Sequence, residues 1–134
     1  MQRTLEQNNR FHQLIGLNCY DAEKKRALVA KATGLRTVHS DNMEFEEMSM
    51  AISNLEQERR EILARYLRVI GLCCSAIGWT APAENGYMKI DYNSLNGYIK
   101  THYHKENLNK LNAHQLNKLV ISLKQIAIHK GVRL

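Results

Sequence analysis

Very little in this chain breaks a helix. It has one proline, Pro82, and seven glycines that stand singly at Gly16, Gly34, Gly71, Gly78, Gly86, Gly97 and Gly131. No glycine-rich loop therefore exists to cradle a phosphate. Two phenylalanines and one tryptophan make a sheet-rich core a poor expectation, whereas Leu, Ile, Ala, Glu, Lys and Asn are abundant. The cysteines are Cys19, Cys73 and Cys74, an odd number with two adjacent, which is no disulfide framework. They are read as reduced thiols of a cytosol. The longest nearly apolar run, residues 69–79, is shorter than the ~20 residues a spanning helix needs. The polar first ten residues give no sign of a secretory signal, so no membrane partner is expected. Acidic residues are scarce in one part of the chain only. Residues 1–57 carry 7 Lys/Arg against 8 Asp/Glu, and residues 58–134 carry 12 against 5.

What is present is helical periodicity. Between Met43 and Ile70 there is no glycine or proline. Phe45, Met48, Ile52 and Leu55 recur at steps of three and four, which places them on one face. Ile62, Leu63, Tyr66, Leu67, Val69 and Ile70 form a wider apolar face after a charged knot. The region 42–78 is read as one long helix, or as two joined near residues 57–60. Asp41 with Glu44 has the spacing of a capping box that would open it.

Shorter helices flank it. Thr4 caps a helix to about Leu17, with Leu5, Phe11, Leu14 and Ile15 as apolar contacts. Asp21 caps a second, 22–33, stopped by Gly34. Residues 80–90 read as a loop. Asp91 caps a helix with Tyr92, Leu95, Tyr98 and Ile99 on one face, shortened by Gly97. Asn112 and Gln115 cap a last helix to about His129, with Leu116, Leu119, Val120, Leu123 and Ala127 as its stripe. Met43, Met48, Ala51, Ile52 and Leu55 overlay Leu111, Leu116, Leu119, Val120 and Leu123 at one constant offset. The expected fold is all-α: a single domain, 1–134, built as a compact bundle of five or six helices around a long central helix. A reading as two similar three-helix halves, 1–57 and 58–134, stays open beside it.

Chemistry is harder to find. His102 and His104 are two apart and Cys73 and Cys74 adjacent, so neither pair has the spacing of structural zinc. His102 is expected as a partly buried residue near Tyr98, and the paired cysteines as small core residues. No nucleophile motif appears. Glu44, Glu46 and Glu47 crowd a helix start, where the macrodipole favours them. No metal, cofactor or catalytic residue is expected. The basic residues are the remaining candidates. Glu56–Arg60 and Glu61–Arg65 have the spacing of helical ion pairs, which leaves Arg59 and Arg68 without local partners. Lys100, Lys110, Lys118, Lys124 and Lys130 lie where carboxylates are nearly absent. Lys110, Asn117 and Lys124 are seven apart, with His114, Lys118 and Gln125 close by. A helix apolar on one side and rich in Lys, Asn and Gln on the other can lie along a phosphate backbone. These ten residues are the expected nucleic-acid contacts, and DNA the expected partner. Met43, Met48 and Met50 with Phe45 read as an ordinary core with Met50 outlying, or alternatively as a flexible patch that suits another protein's helix.

The segment Leu28-Val29-Ala30-Lys31-Ala32-Thr33-Gly34, then Arg36-Thr37 and His39-Ser40 ahead of Met43, resembles the GemA family of Mu-like phages and prophages. Ile77-Gly78-Trp79, Asp91, Leu95, Ile99, Leu111, Gln115, Leu119 and Leu123 are similar to that family's closing pattern. The resemblance implies a small non-enzymatic regulatory protein of phage origin, linked to host gene expression and DNA topology. It brings no catalytic residue. The 80–90 loop and the adjacent cysteines depart from the pattern. Arg3-Thr4-Leu5-Glu6-Gln7-Asn8, with Gly131-Val132-Arg133, resembles NinB-type phage recombination proteins, which implies single-stranded DNA as another partner. Three functions follow as expectations: a DNA-binding regulator, an adaptor acting on a host transcription or topology protein, and an accessory single-strand-binding protein.

Overall fold

A computed structural model describes residues 2–83 and 86–131. The fold is all-α, with five helices and one small hairpin: α1 (Leu5–Leu17), α2 (Ala22–Ala32), α3 (Phe45–Ile77), β1 (Thr80–Pro82), β2 (Met88–Ile90), α4 (Tyr92–Tyr103) and α5 (Ala113–His129). Short 3-10 turns, Ser40–Asn42 and Leu108–Lys110, precede α3 and α5. The chain forms two compact units, Met1–Ile62 and Leu63–Leu134, and the boundary falls inside α3. The long helix is thus continuous through 33 residues, without a break at the charged knot.

In the first unit, Thr4 and Gln7 cap α1 reciprocally, each side chain accepting from the other's backbone N–H. Its inner face buries Phe11 and Leu14; Leu5, expected inward, is 75% exposed because it sits in the first turn, away from that face. Cys19 takes a left-handed conformation (φ 58°) that lets the Tyr20 N–H return to the Ile15 carbonyl at 3.0 Å. Asp21 then caps α2 by accepting from the Lys24 N–H at 2.7 Å. Gly34 and Leu35 (φ 60° and 70°) turn the chain after α2. Phe11, Leu14, Val29, Met43, Met48, Ala51 and Leu55 make the core. Each such large side chain contributes about 1.5–3 kcal/mol relative to exposure.

The opening of α3 differs from the expectation. Asp41 lies in the 3-10 turn, and a single capping bond stands three residues later: the Glu47 carboxylate accepts from the Glu44 N–H at 2.9 Å. That bond and the Arg36 guanidinium hold the Glu47 carboxyl below the usual carboxylate range. The expected Glu56–Arg60 pair gives way to other partners: Glu56 accepts from Arg10 of α1 at 3.1 Å, while Arg60 donates to Gln57 within α3 at 2.7 Å.

In the second unit α3 buries Ile70, Cys73, Cys74 and Ile77. Gly78 (φ 95°) ends it, and the Trp79 N–H returns to the Cys74 carbonyl at 2.8 Å. Residues 80–90 are not a plain loop. β1 and β2 pair antiparallel, Thr80 opposite Ile90 and Pro82 opposite Met88, and the Asp91 N–H closes on the Trp79 carbonyl at 3.0 Å. The tip residues Glu84 and Asn85, part of that expected loop, lie outside the described residues. Asp91 caps α4, which runs on through Gly97 to His104 in a left-handed conformation (φ 57°). Asn112 and Gln115 cap α5 reciprocally, and Leu116, Leu119, Val120, Leu123 and Ala127 are buried.

The two units repeat one design. The 3-10 turns 40–42 and 108–110 stand at the same offset as the helices they precede, and Met43 and Leu111 end them with matching extended backbones. Met48, Ala51 and Leu55 are fully buried, as are Leu116, Leu119 and Leu123. Cys19 and Gly78 make the same left-handed turn, with the same return bond, after the first helical stretch of each unit. The hairpin is inserted into the second unit alone.

Candidate nucleic-acid interface

The ten expected contacts separate once folded. Arg59 leaves the set. It is 5% exposed, and its guanidinium donates to the Leu17 carbonyl at the end of α1. Burial also pulls its pKa down. The overlay of the two halves carried the signal, since Arg59 stands where α5 has Ala127 of its buried stripe. Its charged head satisfies an orphan helix carbonyl rather than facing solvent. Lys130 is half withdrawn for a similar reason: its Nζ donates to the Ile77 carbonyl at 3.1 Å, capping the C-terminus of α3.

Lys110 also leaves its expected row. It belongs to the 3-10 turn, so the seven-residue spacing to Asn117 does not run along one helix. What α5 does assemble is a single outer face. His114, Asn117, Lys118, Lys124 and Gln125 are all exposed on it, opposite the buried stripe. Ile121 and Ile128 stand among them, 49% and 62% exposed. No Asp or Glu occurs in α5. Arg68 is exposed on α3 and Lys100 on α4. All four ion pairs between described residues lie in the first unit: Arg3–Asp41, Arg10–Glu56, Lys24–Glu58 and Arg36–Glu47. The second unit, with ten Lys/Arg against three Asp/Glu, has none among the described residues.

A cavity of about 340 Å³ in the second unit was invisible in the sequence. Its apolar wall is Leu63, Leu67 and Leu108, with Tyr92 beside them. Asn96, Asn107 and Asn109 complete the lining. The Asn96 Oδ1 is buried and has no hydrogen-bond partner among the described residues. Asn107 is fixed by accepting from the Asn109 N–H at 3.0 Å. Only the spacing of Tyr92 and Asn96, one turn apart on α4, could have hinted at it. A second cavity, about 450 Å³, lies beside Arg3 and Asp41 in the first unit. Its cation is already engaged, since Arg3 donates to the Asp41 and Met43 carbonyls.

The remaining candidates are structural. Cys73 and Cys74 are fully buried, and burial pushes both thiols up, Cys74 to about 11. His102 is exposed rather than partly buried, with its ring 4.1 Å from that of Tyr98, which in turn meets Trp79 at 5.7 Å. Tyr98 therefore packs between rings and does not offer a free face. Among the described residues no group of three His, Cys, Asp or Glu could hold a metal ion, and no helix is long and apolar enough to cross a membrane. Val132 and Arg133, which carried part of one resemblance, lie outside the described residues. No protein-family model matches the chain, and no curated protein or solved structure is detectably similar to it.

Proposed function

We propose that this protein is a non-enzymatic regulator of phage type that binds DNA through the second unit. The observation that carries the reading is the positive charge of that unit, which meets no carboxylate partner among the described residues. Lys118 and Lys124 share the outer face of α5 with Asn117, His114 and Gln125, and no carboxylate stands on that helix. Ammonium groups held this way displace condensed counterions from a phosphate backbone, and amide side chains add hydrogen bonds to phosphate oxygens. Arg68, Lys100 and Lys110 add exposed cations on other elements of the unit. The phage context comes from the resemblance to the GemA family.

The test is a titration of labelled duplex and single-stranded DNA at two salt concentrations. Binding to both that weakens steeply with salt is expected. Lys118→Glu combined with Lys124→Glu should weaken it alike for all sequences. Absence of binding to either form at low salt refutes the reading.

One observation favours a second reading. Ile121 and Ile128 are exposed at the centre of the same α5 face, and desolvating them suits a protein partner better than a phosphate backbone. On that reading the chain is an adaptor for an acidic surface of a transcription or DNA-topology protein. Ile121→Ser would abolish partner capture there and leave DNA affinity unchanged.

A further inference from the structure

We infer that the Tyr92–Asn96 cavity of the second unit receives a single unstacked nucleobase, an inference that rests on the nucleic-acid reading above and narrows it. The cavity volume, about 340 Å³, lies within the range of sites that enclose small ligands. Its chemistry is that of a base pocket. Tyr92 supplies an aromatic face, 46% exposed and so not consumed by the core. Leu63, Leu67 and Leu108 supply the opposing apolar surface. A heterocycle has two flat apolar faces and a hydrogen-bonding edge, and these walls match both.

The edge is met by amides. Buried polar atoms are almost always paired, and an orphan is a sign of something missing. The Asn96 Oδ1 is such an orphan: it is closed to solvent and has no donor among the described residues, so a base edge meets it only once the Asn96 side chain turns into the cavity. Adenine and cytosine carry an exocyclic N–H₂ on the pairing edge, guanine an N–H₂ and a ring N–H, and thymine a ring N–H. Every base thus brings a donor for that oxygen. Asparagine is also a side chain suited to reading base edges, because its amide donates and accepts side by side. Asn107 and Asn109 line the same cavity, with the Asn107 Oδ1 already accepting from the Asn109 N–H at 3.0 Å.

The charge around it fits a nucleotide rather than a neutral ring. Lys100 lies one turn beyond Asn96 on α4, on the row that begins at Tyr92, and is exposed. Lys110 directly follows Asn109 in the 3-10 turn and is exposed too. Neither has a carboxylate partner among the described residues. A base in the cavity would leave its phosphates within the domain of these two cations. Bases paired in a duplex cannot enter such a cavity, so the arrangement favours single strands, where aromatic stacking is sequence-tolerant.

The decisive probe is a single strand compared with an abasic strand of equal length, which keeps the phosphates and removes the bases. The full chain should bind the natural strand about tenfold more tightly, the scale of one base stacked on an aromatic ring. Tyr92→Ala and Asn96→Leu should each erase that difference and leave abasic-strand affinity as it was. Tyr92 is exposed, so its variant tests the pocket without disturbing the core; circular dichroism checks both. Equal affinity for the two strands overturns the pocket and leaves the charge-based reading standing. If neither strand binds, the DNA reading itself fails, and the pocket is then judged with cytidine monophosphate and adenosine monophosphate alone. Shifts of the Asn96 side-chain amide resonances on adding either nucleotide would support the cavity as a site for free nucleotides, and unchanged spectra would overturn it.

Discussion

Replacing Lys118 and Lys124 by glutamine gives a prediction whose size follows from how each cation is held. Both are exposed on α5 and have no carboxylate partner among the described residues. Glutamine keeps a comparable helix propensity, so the fold should be unaffected. Each phosphate neutralised on duplex DNA contributes about 0.9 to the slope of log affinity against log salt. Losing two contacts should therefore flatten that slope by about 1.8. Over a fourfold rise in salt, from about 50 to about 200 mM, the wild-type protein should lose about twelvefold more affinity than the double variant. Fluorescence anisotropy of a labelled duplex at several salt concentrations reads this directly. Lys31→Gln, an exposed change on α2 in the first unit, serves as the control and should leave the slope alone. A double variant with the wild-type slope would refute the assignment of phosphate contacts to α5, whatever its absolute affinity.

Other expectations concern stability and reactivity. Arg59→Ala removes a buried charged donor from the Leu17 carbonyl and should cost about 2–3 kcal/mol, read from the urea midpoint; a change below about 0.5 kcal/mol would mean that the guanidinium is dispensable. Asn112→Ala removes the acceptor for the Gln115 N–H, held at 2.8 Å, and should cost about 1 kcal/mol. Cys19 is the one partly exposed cysteine, so iodoacetamide should label a single thiol in the native protein and three after unfolding, because burial raises Cys73 and Cys74. His12 has its pKa lowered by burial and by Lys25. The unfolded chain therefore binds that proton more readily, and His12 should destabilise the fold as pH falls below the ordinary imidazole value, with no contribution above it. An imidazole resonance of His12 titrating at or above about 6.5 would contradict this.

Periodicity and caps made most helices readable. Thr4, Asp21, Asp91 and Asn112 stand where their side chains accept from the first turn, and the apolar stripes of α3 and α5 are buried as their spacing predicts. The errors share a cause: local spacing is blind to partners from elsewhere in the chain. Asp41–Glu44 looked like a capping box, but a 3-10 turn displaced the helix start to Phe45. Glu56 found Arg10 in place of Arg60. Residues 80–90 looked irregular because strands of three residues carry no alternation to detect. At the candidate site, the outer face of α5 was legible from helical spacing. Arg59 was misread because nothing local distinguishes a cation that reaches into a core from one that faces solvent. The cavity drew its walls from α3, α4 and the turn before α5, a convergence that only the tertiary fold creates.

The junction between the two units lies within α3, where every backbone amide near residue 62 belongs to a helical ladder. A protease must draw several residues into an extended cleft, and a helix interior resists that until it melts. Limited digestion should consequently nick the turns at 33–43 or 104–112 and spare the junction, so fragment mapping would not report the two units as separable pieces. The usual biochemical sign of a two-part chain would be missing here because one helix runs through the boundary.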